Sequence, residues 1–203
     1  MVLGTSVNLP NSLTLARIFL VPLLVVVLLT KLNGWEPLGI GKEVLAAGIF
    51  AVASLTDWAD GYLARRRKQV TGLGQWMDPL ADKLLVTAAL VSLAQMGLAS
   101  SWIVVVILGR EFSVTFLRSI AHARGLALPA SSMGKLKMAA QVVAILALIL
   151  GSQIESLRWV GTIALWVAMV AALVSAWDYY RHFNSLLALR GVPPREGREA
   201  KSA

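Results

Sequence analysis

Six long apolar runs occupy most of the 203-residue sequence. They span residues 13–32, 42–66, 79–98, 102–124, 135–153 and 157–181. A helix needs about 20 mostly apolar residues to cross a bilayer core roughly 30 Å thick. Charged residues make up only 15% of the chain, against about 25% in an ordinary soluble domain. We therefore expect an all-α, polytopic membrane protein with six transmembrane helices, and neither a soluble enzyme nor a disordered chain.

The residues outside these runs are few and mostly short connections. The run QMGLASS between the third and fourth spans is short enough to predict a tight antiparallel hairpin. No basic segment of a cleaved signal peptide precedes the first span. Cysteine is absent, which excludes disulfides, zinc–thiolate centres and thiol nucleophiles. We expect a catalytic transmembrane domain over residues 1–185 and a disordered cytoplasmic tail over residues 186–203, which are rich in Pro, Gly and charge.

Basic residues are distributed unevenly between the two sides of the expected bundle. Thirteen of the 19 basic residues follow the second, fourth and sixth spans or border their connections: Arg65, Arg66, Arg67, Lys68, Arg118, Arg124, Lys135, Lys137, Arg181, Arg190, Arg195, Arg198 and Lys201. The opposite loops hold only Lys31, Lys42 and Arg158. The positive-inside rule therefore predicts that the even-numbered spans end in the cytoplasm and that both termini are cytoplasmic.

Four aspartates lie within 26 positions, where the second span leaves the membrane and the third re-enters it. They are Asp57, Asp60, Asp78 and Asp82. At about 100° per residue, the first two share one helix stripe, and the second two, four residues apart, share another. Small residues lie on the same stripes, namely Gly61, Ala64 and Gly74. Two adjacent helices can therefore bring four carboxylates together over a floor of small side chains.

Charge at membrane depth is costly and indicates function. Four close carboxylates cannot all stay ionised without compensation, because like charges disfavour one another's ionisation. Divalent Mg²⁺ or Mn²⁺, which prefers oxygen ligands, is the simplest compensation. Two-metal sites suit group transfer at phosphorus. The alternatives are aspartates that merely end helices at the headgroups, and a proton or cation pathway.

The segment DWADGYLARRRKQVTGLGQWMDPLAD carries a long pattern with fixed spacing. It reads D-x2-D-G-x2-A-R-x8-G-x3-D-x3-D, from Asp57 through Arg65 to Asp82. This pattern resembles the signature of the CDP-alcohol phosphotransferase (phosphatidyltransferase) family and is complete at all eight positions. Six spans with the motif between the second and third also fit that family. The resemblance covers about residues 8–181.

The resemblance implies a six-helix bundle in which an alcohol attacks a CDP-linked lipid and CMP leaves. Asp57, Asp60 and Asp78 would hold two Mg²⁺ or Mn²⁺ ions, and Asp82 would complete the cluster and act as general base. The opening pattern NLPNSLTLARI would help close the nucleotide site. The residues expected to bind the CDP-lipid are Asn11, Thr14, Arg17, Asp57, Asp60, Gly61, Ala64, Arg65, Gly74 and Asp78.

Four basic residues of the fourth and fifth spans predict an acceptor that itself carries phosphate. Arg110, Arg118, Lys135 and Lys137 can converge on the cytoplasmic half of the bundle, and Arg binds phosphate in a bidentate way. Glu111 shares a helix face with Arg118 and could hold it in place. Three segments, NLPNSLTLARI, GRE with a later LR, and PASSMGKLKMAAQ, resemble the branch that transfers a phosphatidyl group to sn-glycerol 3-phosphate.

Other interpretations stay open at this point. Inositol phosphate is an alternative acceptor, because it also requires a basic pocket, whereas a cardiolipin synthase would use a lipid acceptor. Outside this class, the carboxylates could form the ion site of a cation transporter. The basic residues could be membrane anchors. A homodimer is implied by the resemblance alone. The setting expected for this chain is a bacterial inner (plasma) membrane, with the active site facing the cytoplasm.

Overall fold

The computed structural model describes residues 9–30, 41–67, 72–123 and 132–190. These residues form six helices and contain no strand, which confirms the all-α prediction for this part of the chain. The helices are α1 (Leu9–Leu29), α2 (Lys42–Arg67), α3 (Gly72–Gln95), α4 (Ser101–Ala123), α5 (Ser132–Leu150) and α6 (Glu155–Arg190). Side chains are not described within residues 9–14, 57–67, 72–80, 82, 122–123, 132 and 186–190.

Each predicted span corresponds to one helix, but two helices extend well beyond the apolar runs. Helix α3 begins at Gly72 rather than at position 79, and α6 continues to Arg190 rather than ending near 181. The helix therefore extends five residues into the segment expected to be disordered, and residues 191–203 lie outside the described part. Hydropathy marks where a helix is apolar, whereas hydrogen bonding lets it continue into polar sequence.

The described helices carry apolar side chains on their outer surfaces as well as inside. Two segments are long and apolar enough to cross a membrane, Met133–Leu150 and Glu155–Ser185, and only 39% of either is buried inside the bundle. Exposed side chains such as Phe19, Phe116 and Trp159 remain at least 66% accessible. Such extended apolar surface indicates contact with lipid. Two further apolar helical segments, Leu15–Leu29 and Lys83–Gln95, are shorter, so six membrane crossings remain a prediction.

The helices pack so that α5 lies beside α6, and α1 lies beside α2 and α3, the two helices that carry the aspartate motif. Helix α5 makes its most extensive contact with α6, and α1 packs against both α2 and α3. Helix α4 lies against α6, and α2 against α5. Fully buried side chains, including Leu24, Phe50, Leu90, Ile107 and Leu148, form one continuous core. The bundle therefore has a conventional apolar interior between its two ends.

The turn between α3 and α4 closes the end of the bundle opposite the motif. Gly97 adopts a left-handed conformation with φ of 72°, which glycine enters without the Cβ penalty. Leu98 N donates to Leu93 O at 2.9 Å, and Gly97 N donates to Ala94 O at 3.0 Å. These two bonds form a Schellman C-cap, which satisfies the last carbonyls of α3. The predicted tight hairpin between the third and fourth helices is confirmed.

Helices α5 and α6 approach each other closely at Gly161. A Cβ added there would lie 2.7 Å from Leu148 Cγ and 2.9 Å from Leu148 N, the latter a backbone atom. Gly161 is buried, and so is Leu148. Because Gly161 has no side chain, α6 can lie this close to α5, the helix with which it makes an extensive contact.

Gly161→Ala should destabilise the protein, because the added methyl group forces α6 away from the α5 backbone. Overpacking of this kind costs about 1–3 kcal/mol. Thermal unfolding in detergent would measure it. Gly48→Ala is the matched control, because a Cβ added there would meet nothing within 4 Å and alanine favours helix. An unfolding temperature of the Gly161 variant equal to that of the control variant would contradict this packing.

Candidate active site

Helix geometry places the four motif aspartates at matching depths. Asp57 lies ten residues before the end of α2, and Asp82 ten residues after the start of α3, so both are about 15 Å from that end of the bundle at 1.5 Å per residue. Asp60 and Asp78 lie seven and six residues from the same helix ends, or about 10 Å. Helices α2 and α3 contact each other. The backbone therefore places the four positions at two matching depths on contacting helices, and their side chains lie outside the described residues.

We refer to the end of the bundle where α2 stops and α3 starts as the motif end. The other motif positions, Gly61, Ala64 and Arg65 on α2 and Gly74 on α3, lie at this end. So do Asn11 and Thr14 in the first turns of α1. Their side chains are also outside the described residues. Every residue predicted to bind the CDP-lipid therefore lies within α1, α2 or α3. The structure does not test the roles of these residues, which stay predictions.

Arg17 is the one predicted donor-site residue whose side chain the structure describes. It is only 1% exposed and lies eight residues after the start of α1, close to the depth of the aspartates. Helix α1 packs against both α2 and α3. A buried guanidinium is stable only beside compensating groups. Its location fits an arginine that faces the acidic motif helices.

Arg110 fastens α4 to α6. Its Nε donates to Ala172 O at 2.9 Å, and its NH2 donates to Ser175 Oγ at 2.7 Å. Its NH1 lies 3.6 Å from Glu111 Oε1. All three nitrogens of this guanidinium have partners within the protein. Arg110 therefore helps to hold α4 against α6 and also adds positive charge to this region.

Arg118 lies nearer the motif end and binds a different partner from the one expected. Its NH2 donates to the Tyr179 hydroxyl, and its guanidinium lies 4.7 Å from the centre of that ring. Glu111 instead pairs with Lys137 and Arg110, so the expectation that Glu111 holds Arg118 is wrong. Seven residues separate the two by about 10 Å along the helix, whereas α5 brings Lys137 directly to Glu111.

Lys137 and Lys135 differ in their surroundings, although both lie in the first turns of α5. Lys137 is 4% exposed and paired with Glu111, whereas Lys135 is exposed. The described part of the bundle therefore joins Arg110 and Lys137 through Glu111. Arg118 and Lys135 remain more accessible from outside the bundle.

Lys83, which follows Asp82 in the sequence, belongs to the same polar region. Its ammonium donates to Thr115 Oγ1. The Thr115 hydroxyl in turn donates to the Glu111 carbonyl at 2.7 Å. This chain of bonds ties α3 to α4 one residue after Asp82. In the sequence, these contacts are indicated only by two charged residues, Lys83 and Glu111, that interrupt apolar runs. That signal does not identify Thr115 as the residue that connects α3 to α4.

A small cavity of about 80 Å³ lies among α3, α4 and α5 beside these polar groups. Its lining comprises Lys83, Val86, Thr87, Leu108, Glu111, Phe112, Lys137, Met138, Gln141 and Val142. Gln141 is only 3% exposed, and its Nε2 has no hydrogen-bond partner in the structure. A buried donor without a partner costs about 1–3 kcal/mol. Gln141 is the last residue of the segment PASSMGKLKMAAQ, but the sequence analysis gave it no role of its own.

The fit of a metal ion to this site follows from the kinds of donor present. Among the side chains that the structure describes, no group of three or more His, Asp or Glu residues lies together. The four motif aspartates are not among those side chains. Their carboxylates are hard oxygen donors of the kind that Mg²⁺ and Mn²⁺ prefer, and they occur at matching depths of two contacting helices.

Comparisons with known proteins identify the family of this chain. The sequence model of the CDP-alcohol phosphatidyltransferase family matches residues 7–175. A Bacillus subtilis protein named CDP-diacylglycerol--glycerol-3-phosphate 3-phosphatidyltransferase is 43% identical over 182 residues, covering 85% of this chain and 93% of that protein. A Pectobacterium atrosepticum protein of the same name is 35% identical over 88% of this chain and 94% of its own length. A Mycobacterium tuberculosis protein named probable phosphatidylglycerophosphate synthase is 43% identical over 68% of this chain and 64% of its own. The chain therefore belongs to the CDP-alcohol phosphatidyltransferase family.

Proposed function

We propose that this protein transfers the phosphatidyl group from CDP-diacylglycerol to sn-glycerol 3-phosphate, giving phosphatidylglycerophosphate and CMP. The proposal rests on the complete aspartate motif at matching depths of α2 and α3, on the same half of the bundle as Arg118, Lys135 and Lys137. The names of relatives at 35% and 43% identity over most of the chain support the same reaction.

The reaction is a displacement at the phosphorus that bears the diacylglycerol. The primary hydroxyl of glycerol 3-phosphate forms the new oxygen–phosphorus bond, and the bond from that phosphorus to the CMP oxygen breaks. Asp82 accepts the proton of the attacking hydroxyl, a role that requires hydrogen-bond reach to that oxygen. Asn11, Thr14, Arg17, Gly61, Ala64, Arg65 and Gly74 surround the CDP portion of the donor, with the small residues leaving room for its close approach.

Asp57, Asp60, Asp78 and Asp82 hold two Mg²⁺ or Mn²⁺ ions in this proposal. When bound, such ions neutralise the donor's pyrophosphate and stabilise charge on the attacking and leaving oxygens. The oxygen-only donor set and the matching depths of the aspartates on α2 and α3 support this assignment. The aspartates carry the charge that the metals offset, so neither the carboxylates nor the substrate pyrophosphate is left uncompensated.

The acceptor's phosphate binds to the cationic group formed by Arg110, Arg118, Lys135 and Lys137. Arg118 and Lys135 are exposed and make the direct contacts in this proposal. Tyr179 holds the Arg118 guanidinium by stacking and a hydrogen bond. Arg110 and Lys137 keep their positive charge nearby while bound to Glu111. Arginine offers two parallel donors to a phosphate, which suits a phosphorylated acceptor.

The protein works in a membrane, because its donor is a lipid and its outer surface is apolar. We place it, with six crossings, in a bacterial inner membrane with the motif end facing the cytoplasm, where the basic residues concentrate. Helix α6 has 36 residues and is about 54 Å long, so it extends past a hydrocarbon core of about 30 Å. We also propose that the protein forms a homodimer, as the resemblance to the family implies.

Purified protein should release CMP from CDP-diacylglycerol when given glycerol 3-phosphate and Mg²⁺ or Mn²⁺. Inositol phosphate, serine and free glycerol should give little product, and chelation with EDTA should stop the reaction reversibly. Chromatography of CMP and of the lipid product measures both outcomes. Equal rates with all acceptors would contradict the acceptor assignment, a preference for inositol phosphate would favour that alternative, and undiminished activity in EDTA would contradict the metal site.

Arg118→Ala should raise the KM for glycerol 3-phosphate by about 10–100-fold, which corresponds to the loss of one charged hydrogen bond. The KM for CDP-diacylglycerol should stay nearly constant, because its phosphates bind at the aspartate motif. Steady-state kinetics with each substrate varied in turn separates the two effects. Arg158→Ala, an exposed arginine at the other end of the bundle, is the control. An unchanged acceptor KM would assign Arg118 to membrane anchoring.

A further inference from the structure

We propose that Gln141 recognises the secondary hydroxyl of the acceptor, at C2 of glycerol 3-phosphate. This inference rests on the proposed function and extends it to the neutral part of the acceptor. It assigns the cavity among α3, α4 and α5 as the subsite for that hydroxyl. The Gln141 side-chain amide, through Nε2, is the donor.

The first observation is the condition of Gln141 itself. The side chain is 3% exposed and lines the cavity, and Nε2 has no hydrogen-bond partner. Buried polar groups in folded proteins almost always have a partner. A donor kept in this state destabilises the fold unless something binds it. A ligand that brings an acceptor oxygen into the cavity supplies the missing partner.

The second observation is the charge balance around the cavity. Two lysines line it, but each is engaged by a neighbouring residue: Lys83 donates to Thr115, and Lys137 pairs with Glu111. Half of the lining is apolar. Because both ammonium groups already have partners, a neutral hydroxyl that enters the cavity meets the Gln141 amide as the donor without one.

The third observation is the position of the cavity between the two functional regions. Gln141 lies nine residues into α5, and Asp82 ten residues into α3, so both lie about 14–15 Å from the motif end. Helices α3 and α5 contact each other. In glycerol 3-phosphate the C2 hydroxyl lies between the attacking hydroxyl and the phosphate. A subsite between the Asp82 level and the cationic residues therefore matches the order of groups in the acceptor.

The cavity's size agrees with this assignment. Its volume of about 80 Å³ is more than the roughly 10–15 Å³ that one water needs on the same measure. One hydroxyl-bearing carbon fits, while the phosphate stays near Arg118 and Lys135 outside. The subsite therefore distinguishes acceptors by their hydroxyl groups and not by their charge.

The test compares glycerol 3-phosphate with 3-hydroxypropyl phosphate, which keeps the attacking hydroxyl and the phosphate but lacks the C2 hydroxyl. The native protein should favour glycerol 3-phosphate by about 10–100-fold in kcat/KM, because the analogue leaves a buried donor unpaired. Gln141→Leu should reduce that ratio to about threefold or less, mainly by lowering kcat/KM for glycerol 3-phosphate. Gln153→Leu, the same substitution at an exposed residue of the α5–α6 turn, should keep the native ratio.

A second measurement separates recognition from structure. Because Nε2 has no partner in the unliganded protein, Gln141→Leu should leave its unfolding temperature unchanged or raise it. A lower unfolding temperature, or an unchanged acceptor ratio, would overturn the inference while leaving the proposed function intact. If the native protein releases no CMP with either acceptor, the proposed function fails first and the inference fails with it.

Discussion

The cost of placing ionised side chains inside an apolar helix bundle governs the arrangement of this protein. An unpaired charge in such surroundings is strongly destabilising, whereas a paired and hydrogen-bonded one is tolerated. Glu111 meets this requirement by contacting Lys137 on α5 and its neighbour Arg110, which itself binds α6. The interactions that neutralise the charges therefore also fix the relative positions of three helices.

The two ends of the bundle meet different physical demands. At the end opposite the motif, Gly97 ends α3 in a left-handed turn, and Gly161 lets α5 and α6 touch. A cavity lined by Gly151, Arg158 and Trp159 also lies at this end. At the motif end the helices carry aspartates and cations, and Gln141 keeps a donor without a partner. Close helix contacts at one end thus support a polar half whose groups are suited to bind charged substrates, which is a common trade of stability for function.

Sequence reasoning predicted the features that repeat along the chain or have fixed spacing. Apolar runs located all six helices, and the eight-position motif identified the family, because both signals are local. It did not predict the true start of α3 at Gly72 or the extension of α6 to Arg190, since helices continue through polar sequence. It also assigned Arg118 to Glu111, although Tyr179 is the partner. Tyr179 lies 61 residues away along the chain, and such a pairing depends on how α4 packs against α6. Gln141 was missed for a similar reason, because its isolation becomes visible only when three helices surround it.

The central claim is that the carboxylates at membrane depth carry out the phosphatidyl transfer and do not merely end helices. Its most direct test is turnover of Asp82→Asn beside Asp178→Asn, the same substitution at an exposed residue of α6 outside the motif. Loss of a general base lowers the rate by about 10²–10⁴-fold. We expect Asp82→Asn to lose turnover to at least this extent while it still binds CDP-diacylglycerol, and Asp178→Asn to keep native activity. Native turnover in Asp82→Asn would contradict the claim.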